Sequence, residues 1–414
     1  MRFLLLLAVL CASLTSLLPA QNIPLSEYRA RRNALRKDLN GTVVLFAKTV
    51  GPDEVYGYVQ EPNFYYLTGW TQPNAVLVID KNHDVLFLPH RNEKAEIFYG
   101  RRAAPEDVDA PQLTGFDHVL PMEKLESELS QALQTGEKVY AIPHDPGTEK
   151  LRAFLAFRHV DDAAPLIAKL RIKKSEAEIA AIQHATDVSL EAHRTAWKRL
   201  EPGLFEYQIA TTFTDSIFEN GCERYAYSPI VGSGPNSTVL HYSTNRRRMD
   251  RGEVVVMDAA AECGNYASDI TRTIPVGGKF NARQREIYNI VLGAQKAAIA
   301  AIKPGAKYYG DENSITKIAK DYINSHGTDL HGAPLGKYFT HGLGHPVGID
   351  VHDPQVDEPL EAGMIFTVEP GIYIPEESIG IRIEDVVLVT DTGAKILSAA
   401  LPREADEVEK ALAK

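Results

Sequence analysis

Short apolar runs separated by turn-forming residues fill the first part of the chain. We predict strands where four such runs are bounded by Gly, Pro, Asn or Asp, at residues 42–47, 63–69, 75–80 and 84–89. Residues 123–134 have apolar positions at helical spacing and predict an amphipathic helix, followed by a strand at 138–143. Strands alternating with helices are typical of an α/β domain. Because residues 21–165 contain no cluster of metal-binding side chains, we expect a steric or oligomeric role for this part.

Longer helical patterns begin after a break near residues 163–174. Ser175 and Glu178 have the spacing of a capping box, so a helix is expected to start there and to run to about Leu200. The Pro-Gly pair that follows ends this helix, and a second helix is expected at residues 206–221.

The same order of features recurs further along the chain. A helix at 282–302, a Pro-Gly pair and a helix at 312–327 repeat the pattern, and His345 follows them as His241 follows the first pair. We therefore interpret residues 175–400 as two related halves that face each other across an internal pseudo-twofold axis.

Each half ends in a hairpin-like segment that carries two carboxylates. In the segment 252–276, Asp258 and Asp269 lie at equal distances from a centre between Cys263 and Gly264. If the flanking apolar runs pair antiparallel, the two aspartates face each other with Cβ atoms roughly 5 Å apart.

The second hairpin, residues 364–389, has the same design. Glu369 and Glu384 are centred on the turn at Glu376 and Glu377. Like charges opposed in a sheet destabilise it unless a positive group neutralises them. A pair of divalent cations is the simplest such group.

A glycine-rich loop between the hairpins, residues 339–353, contributes further candidates. It contains His341, His345 and His352. The spacing of the first two resembles a zinc-protease helix, but no glutamate follows His341, and the glycines and Pro346 oppose a helix. We predict a loop whose imidazoles, together with His241, surround a metal or substrate.

Carboxylates combined with imidazole suit Mn²⁺, Zn²⁺, Co²⁺ or Fe²⁺. Two such ions would supply a hydroxide near neutral pH and polarise a carbonyl, so hydrolysis is the predicted chemistry. Arg382 shares a strand face with Glu384 and is expected to neutralise a carboxylate or to bind a substrate carbonyl. Thr271 shares a face with Asp269 and is expected to orient it.

Composition restricts the location and the partners. The 414 residues carry a formal net charge of −11 and no basic block, which argues against nucleic-acid binding. Residues 1–20 have an early Arg2, an apolar stretch and a terminal Ala20, as in a cleaved signal peptide. An exported protein, periplasmic or secreted, without stable membrane insertion is therefore expected. Cys222 and Cys263 remain after cleavage, and the sequence leaves their pairing open.

The motifs resemble those of the metal-dependent aminopeptidase P and prolidase family, which has the pita-bread fold. The resemblance extends over nearly all of the chain after residue 20. It is carried by NFYYLTGWTQPNAVLVI (63–79), HYST (241–244), the hairpin 252–276, HGLGHPVGIDVHD (341–353), TVEPGIYI (367–374) and GIRIEDVVLVT (380–390).

The resemblance implies an α/β (α+β) fold in three parts. Residues 1–20 would be the signal peptide, residues 21–170 a creatinase/aminopeptidase P-like domain, and residues 171–414 a pita-bread catalytic domain with the internal repeat. Members of this family often form dimers or tetramers through the N-terminal domain, so at least a homodimer is expected.

The resemblance also implies roles for individual residues. Two divalent ions, usually Mn²⁺, would be held by Asp258, Asp269, His345, Glu369 and Glu384. Asp269 and Glu384 would bridge both ions, Asp258 would hold one, and His345 with Glu369 would hold the other. Glu369 would also act as general base. His241, His341 and His352 would bind substrate and stabilise the tetrahedral intermediate, with Tyr373 and Arg382 nearby.

All five ligand positions carry the expected residue type, which argues against metal-free creatinases and degenerate relatives. The expected function is removal of the N-terminal residue from peptides with proline at the second position. Two alternatives stay open: a prolidase restricted to Xaa-Pro dipeptides, and a non-catalytic peptide-binding relative.

Overall fold

The structure of the protein is a computed structural model that describes residues 23–49, 57–133, 138–154, 159–310 and 312–413. The predicted signal peptide lies outside these residues. The elements of the N-terminal part are α1 (Leu25–Lys37), β1 (Gly41–Phe46), α2 (Pro62–Thr68), β2 (Val76–Ile79), β3 (Asp84–Leu88), α3 (Glu93–Tyr99), α4 (Ala110–Thr114), β4 (His118–Pro121), α5 (Leu125–Ala132), β5 (Lys138–Ala141), α6 (Pro146–Phe154), β6 (Val160–Asp162) and α7 (Ala164–Arg171).

The strands of this part form one six-stranded sheet in the order β4-β3-β2-β1-β5-β6. β1 is parallel to β5 and antiparallel to β2. Since side chains alternate along a strand, Val43 and Leu45 pack on one face of the sheet and Val44 on the other. The predicted strands at 42–47, 75–80, 84–89 and 138–143 and the helix at 123–134 are confirmed.

The strand predicted at residues 63–69 is wrong, because this segment forms α2. Glu61 caps the helix by accepting a hydrogen bond from the Phe64 amide at 2.6 Å, and Pro62 occupies its first position. Gly69 ends it with a positive φ of 66°. The aromatic residues that suggest a strand are instead buried along the helix, so tertiary packing overrides their β propensity.

The remaining elements form the C-terminal part. They are α8 (Glu176–Arg199), α9 (Glu206–Glu219), β7 (Arg224–Tyr225), β8 (Ile230–Ser233), β9 (Val254–Asp258), β10 (Ala261–Cys263), β11 (Tyr266–Ala267), β12 (Thr271–Pro275), α10 (Ala282–Ala301), α11 (Ile315–Ser325), β13 (Ile365–Val368), β14 (Gly371–Ile374), β15 (Ile379–Arg382), β16 (Asp385–Val389), β17 (Ala394–Ile396) and α12 (Ala405–Leu412).

All four helices predicted for the two halves are present as α8, α9, α10 and α11. The capping box is confirmed, since the Ser175 side chain accepts from the Glu178 amide and the Glu178 side chain accepts from the Ser175 amide. Within the described residues, none of the helices has both the length and the apolar character needed to cross a membrane.

The first hairpin is shifted from its predicted register. β9 pairs with β12 so that Asp258 lies opposite Thr271, not opposite Asp269. The turn is formed by Gly264 and Asn265, whose φ values are 59° and 65°. Two successive residues with positive φ suit a type I′ hairpin turn, which places the centre one residue later than the symmetry of the aspartates suggests.

The second hairpin keeps its predicted register. Val368 pairs with Asp385, and Gly371 pairs with Arg382, so Glu369 and Glu384 stand at the same level. Both residues occupy the short interval between the two stretches of ladder. The Glu384 amide donates to the Thr271 carbonyl at 3.0 Å instead, and this bond joins the two hairpins.

A buried ion pair also holds the halves together. Arg272 Nη2 lies 2.7 Å from Asp385 Oδ1, and neither side chain is exposed to solvent. Arg272 also donates to the backbone carbonyl of Glu384. The charged pair therefore fixes the backbone beside Glu384 from the side of the first hairpin.

Candidate active site

One cavity of about 470 Å³ collects nearly all of the predicted site residues. Those that line it are His241, Asp258, Asp269, His341, His345, His352, Glu369, Arg382 and Glu384. Tyr373 is not part of the lining. It lies behind the wall, where its hydroxyl contacts His341 and Arg382.

The loop and the hairpins meet at the centre of this cavity. Asp269, His345 and Glu384 each offer one donor atom, and these atoms lie within 4.8 Å of one another. His345 Nε2 is 3.3 Å from Asp269 Oδ2 and 3.5 Å from Glu369 Oε1. Both predicted halves therefore contribute to one cluster.

Burial of several carboxyl groups in one place is electrostatically unfavourable. Burial raises the pKa of Glu369 to about 8, and the nearby charge of Asp269 adds to the shift while His345 opposes it. Burial, reinforced by the other three carboxylates, raises the pKa of Glu384 well above its usual range. Without a compensating cation, these two groups retain protons near neutral pH.

Asp258 has a cationic partner within the protein. Arg382 Nη2 donates to Asp258 Oδ2 at 2.6 Å, and both side chains are buried. Burial still raises the pKa of Asp258, because Arg382 offsets it only partly and Asp269 repels the charge. The first of the two roles expected for Arg382, neutralisation of a carboxylate, thus matches its position.

The orientation of His345 leaves one nitrogen directed at the carboxylates. Its Nδ1 donates a hydrogen bond to the Pro346 carbonyl at 3.1 Å. The other ring nitrogen, Nε2, therefore points to the carboxylate cluster. Burial disfavours the imidazolium, but the hydrogen bond and charge of Asp269 outweigh burial and raise the pKa of His345 to about 9. An imidazole so placed suits either a proton or a metal ion.

Both ring nitrogens of His341 are occupied by hydrogen bonds to neutral groups of the protein. Its Nδ1 donates to the Gly342 carbonyl at 2.7 Å, and its Nε2 accepts from the Tyr373 hydroxyl at 2.8 Å. Burial and the nearby Arg382 lower its pKa to about 4, so the ring is neutral. His241 and His352 are exposed within the cavity, where a substrate can reach them.

Tyr227 is a site residue that sequence reasoning missed. Its hydroxyl oxygen lies 2.5 Å from both Asp258 Oδ1 and Asp269 Oδ1. It precedes β8, which pairs with β9 and aligns Ile230 with Asp258. The apolar run after Tyr227 could have predicted a strand beside the first hairpin, but no local motif marks the tyrosine.

Thr271 is positioned differently from its predicted role. Its hydroxyl donates to Glu384 Oε2 at 2.7 Å and accepts from Arg382 Nε at 3.2 Å. It therefore orients Glu384 and not Asp269, so that prediction is wrong. The reason is a contact between the hairpins: the Thr271 carbonyl accepts from the Glu384 amide, which brings the Thr271 side chain beside that glutamate.

Buried charges anchor the histidine loop from behind. Arg171 Nη2 lies 2.6 Å from Asp353 Oδ1, and Lys174 Nζ lies 3.0 Å from Asp353 Oδ2. All three side chains are at most 2% exposed. This cluster fixes the end of the loop directly after His352.

The donor set fits divalent cations. Buried carboxylates with raised pKa values, one imidazole with a directed nitrogen and no sulfur ligand form the mixed O/N environment that Mn²⁺, Zn²⁺, Co²⁺ and Fe²⁺ accept. Positive charge at this position would also relieve the mutual repulsion of the carboxylates.

Comparison with known families agrees with this chemistry. Residues 180–391 match the model described as metallopeptidase family M24, and residues 28–140 match the model of the aminopeptidase P N-terminal domain. The chain belongs to metallopeptidase family M24. As an M24 member it is a metal-dependent hydrolase of the aminopeptidase P type, with the α/β (α+β) fold expected from the resemblance.

Similar M24 proteins are found among curated relatives. The chain is 35% identical over 427 residues to a protein from Escherichia coli named Xaa-Pro aminopeptidase, and the match covers 92% of this chain and 96% of the relative. It is 34% identical over 355 residues to the Xaa-Pro dipeptidase of Pyrococcus furiosus, with coverage of 82% and 92%.

Solved structures of aminopeptidase P have the same fold. An aspartate-to-alanine variant of the E. coli enzyme superposes with a TM-score of 0.85 at 32% identity, covering 94% of this chain and 98% of that chain. A zinc-substituted E. coli enzyme in complex with product gives a TM-score of 0.83 at 32% identity, with the same coverage.

Proposed function

We propose that the protein is an exported aminopeptidase with two metal ions that hydrolyses the N-terminal Xaa-Pro bond of peptides. The observation that carries this proposal is the convergence of Asp258, Asp269, His345, Glu369 and Glu384 on one cavity. The names of the relatives, Xaa-Pro aminopeptidase and aminopeptidase P, support the substrate class.

Those five residues would hold the ions, and Mn²⁺ is the first choice. Two bound cations supply Lewis acidity that generates a nucleophile from water near neutral pH and polarises a scissile carbonyl. Glu369 would accept the proton of the attacking water, because its carboxylate lines the cavity beside His345, 3.5 Å away, where the ions would be held.

The surrounding residues position the peptide. His241 and His352 are exposed in the cavity, where they would contact the substrate. His341, held between Gly342 and Tyr373, presents a neutral ring to the cavity. The amide before proline lacks an N–H, so a site that does not require this donor is suited to Xaa-Pro bonds.

Metal dependence is tested on Xaa-Pro-Yaa tripeptides. We expect activity to disappear with a chelator, to return with Mn²⁺, and to fall by about 10²–10⁴-fold in Glu369→Gln, the usual range for loss of a general base. Glu376→Gln, at the turn of the same hairpin, is the control and should retain activity. Chelator-resistant activity would refute the mechanism.

A prolidase is the second candidate, and similarity to a named Xaa-Pro dipeptidase favours considering it. An Xaa-Pro dipeptide and the corresponding tripeptide should be compared at equal concentration. Preference for the tripeptide is expected. Cleavage of the dipeptide alone would replace the proposal by the second candidate. A non-catalytic peptide binder would bind both peptides and cleave neither.

Export and assembly complete the proposal. The pattern of residues 1–20 and the disulfide between Cys222 and Cys263 support an oxidising destination. A mature N-terminus at residue 21 in the exported fraction is expected, and a cytoplasmic protein that retains Met1 would contradict it. We further propose a homodimer or homotetramer, measurable by light scattering of the purified protein.

A further inference from the structure

Outside the catalytic cavity, one cluster of side chains combines two sulfurs with an imidazole. Cys222 and Cys263 form a disulfide, and the nearest donor atoms of His184, Cys222 and Cys263 all lie within 4.8 Å of one another. Cys222 follows α9, Cys263 ends β10, and His184 belongs to α8. Three separate elements therefore bring their donors to one point.

The imidazole has no other assignment. Among the described residues, no hydrogen-bond partner is found for the ring nitrogens of His184, although the side chain is half-buried. Both cysteines are nearly inaccessible, with exposures of 3% and 2%. An imidazole with two cysteine thiolates is the ligand combination of many zinc sites, and reduction of the disulfide would supply those thiolates.

The cluster can be reached through a second cavity. A space of about 460 Å³ lies between the N-terminal and catalytic parts, with His184, Cys263 and Glu223 on one side and Tyr28 and Tyr65 on the other. A small dithiol and a hydrated metal ion both fit a space of this size. Of the two cysteines, Cys263 is the one that lines it.

We propose that His184, Cys222 and Cys263 form a second metal site, which takes a thiophilic divalent ion such as Zn²⁺ when the disulfide is reduced. The site has no residue in common with the catalytic cavity, and its ligands include sulfur, which the catalytic donor set lacks. Solvent from the cavity between the two parts supplies the fourth ligand of a tetrahedral ion.

The redox step balances with a dithiol as reductant. One thiolate of the reductant bonds to the sulfur of Cys263 while the protein disulfide breaks and Cys222 leaves as a thiolate. The second thiol of the reductant then displaces Cys263 and closes a cyclic disulfide. Two electrons pass to the protein, two cysteine thiols result, and metal binding releases their two protons.

Cobalt absorption gives a direct test on the full chain. The protein is reduced with excess dithiothreitol without denaturant, freed of reductant anaerobically, and titrated with Co²⁺. We expect a thiolate-to-cobalt charge-transfer band that saturates when one ion per chain is bound in excess of the Co²⁺ taken up by the oxidised protein, and that disappears on addition of Zn²⁺. Oxidised protein and Cys222→Ser/Cys263→Ser should lack the band, because carboxylate and imidazole ligands do not produce it.

Variants locate the nitrogen ligand. His184→Ala should weaken Co²⁺ binding by at least about ten-fold, the smallest effect typical of even an outer partner of a metal site. His326→Ala, which removes an exposed histidine, is the matched control. Circular dichroism establishes that each variant is folded.

Three results would overturn the proposal. The first is a reduced, folded protein with no more titratable thiols than the double serine variant. The second is release of both thiols without a charge-transfer band. The third is equal Co²⁺ affinity in His184→Ala and His326→Ala. None of these readouts measures peptide hydrolysis, so they are independent of the proposed function.

Discussion

At the scale of single residues, the site is defined by what each acidic group can use as a counter-charge. Asp258 has Arg382, Glu384 accepts a hydrogen bond from the Thr271 hydroxyl, and Glu369 lies near His345 and accepts a hydrogen bond from the Thr367 hydroxyl at 3.2 Å. Burial is the main cause of the raised pKa of Glu369, about 8, and the nearby charges of His345 and Arg382 offset it only partly.

Tyr227→Phe tests whether the phenol orients the two aspartates. We expect the variant to fold normally and to bind metal about 10–100-fold more weakly, as is typical when an outer partner of a metal ligand is removed. Metal content after dialysis against graded chelator measures this effect. Tyr225→Phe, at a partly exposed tyrosine on β7, should behave as wild type, and an equal response in both variants would contradict the assignment.

His193 predicts a pH dependence of stability. Its Nε2 donates to the Ala259 carbonyl at 2.9 Å, and burial lowers its pKa to about 3 although this bond opposes the shift. In the unfolded chain the pKa returns to about 6.5. The unfolded state therefore binds more protons between these values, and stability falls as the pH drops from about 6.5 towards 3.

In His193→Gln, the free energy of unfolding should depend less steeply on pH below 6.5, by about 1 kcal/mol per pH unit. The reason is that uptake of one extra proton by the unfolded state changes this free energy by about 1.4 kcal/mol per pH unit at most. Urea unfolding midpoints at several pH values between 4 and 7 measure the slope. His326→Gln at the surface serves as control. A wild-type slope in His193→Gln would show that other groups govern acid unfolding.

At the scale of elements, local signals were sufficient where they agreed with each other. The helices of both halves were predictable because the Ser175 capping box, Pro-Gly stops and apolar spacing point to the same boundaries. The prediction of a strand for α2 is wrong because it follows the aromatic composition of the segment, which favours a strand. Pro62 and Gly69 mark the start and the end of a helix, but the strand prediction does not use them.

The site shows the same limit. Its acidic and imidazole residues could be listed from motifs and from the resemblance, since strand alternation and the two hairpins are local properties. Tyr227 and the true partner of Thr271 could not be found, because both depend on contacts between elements distant in sequence. The symmetry of the hairpins correctly predicts that Glu369 lies opposite Glu384. It wrongly predicts that Asp269 lies opposite Asp258.

The buried cluster behind the histidine loop gives a prediction at this scale. Lys174 and Arg171 outweigh the effect of burial and lower the pKa of Asp353. Asp353→Asn leaves two buried cations without this partner and should destabilise the protein by about 3–5 kcal/mol, the usual range for a broken buried pair.

Thermal unfolding measures the loss of stability in Asp353→Asn, and a raised KM is expected because His352 is no longer fixed. Asp357→Asn, further along the same loop at an exposed position, is the control. If both variants unfold at the wild-type temperature, the cluster does not contribute to stability as described.

At the scale of the whole molecule, the two parts of the chain have one apolar core in common. Leu45 and Leu77 of the N-terminal sheet belong to the same buried cluster as Tyr266, Val347 and Ile365 of the catalytic part. Arg31 crosses the boundary and lies 3.4 Å from Glu178. The catalytic part therefore depends on its neighbour for burial.

Separation of the parts should expose this surface. We expect residues 171–414 produced alone to bind a hydrophobic dye and to unfold at a lower temperature than the full chain, because an apolar face that is normally covered becomes accessible to water. The full-length protein is the reference. A soluble fragment with unchanged melting temperature and no dye binding would contradict this view.

The turn at Gly264 and Asn265 has a consequence for how this protein can change over time. Successive side chains in a strand point to alternate sides, so one residue added or lost within the paired part of either strand between Asp258 and Asp269 would turn one carboxylate away from the cavity. A residue added at Gly264 or Asn265 can instead be absorbed as a longer loop or a bulge. Changes of length that keep the acidic cluster are therefore expected at the tip of this hairpin and not along its two strands.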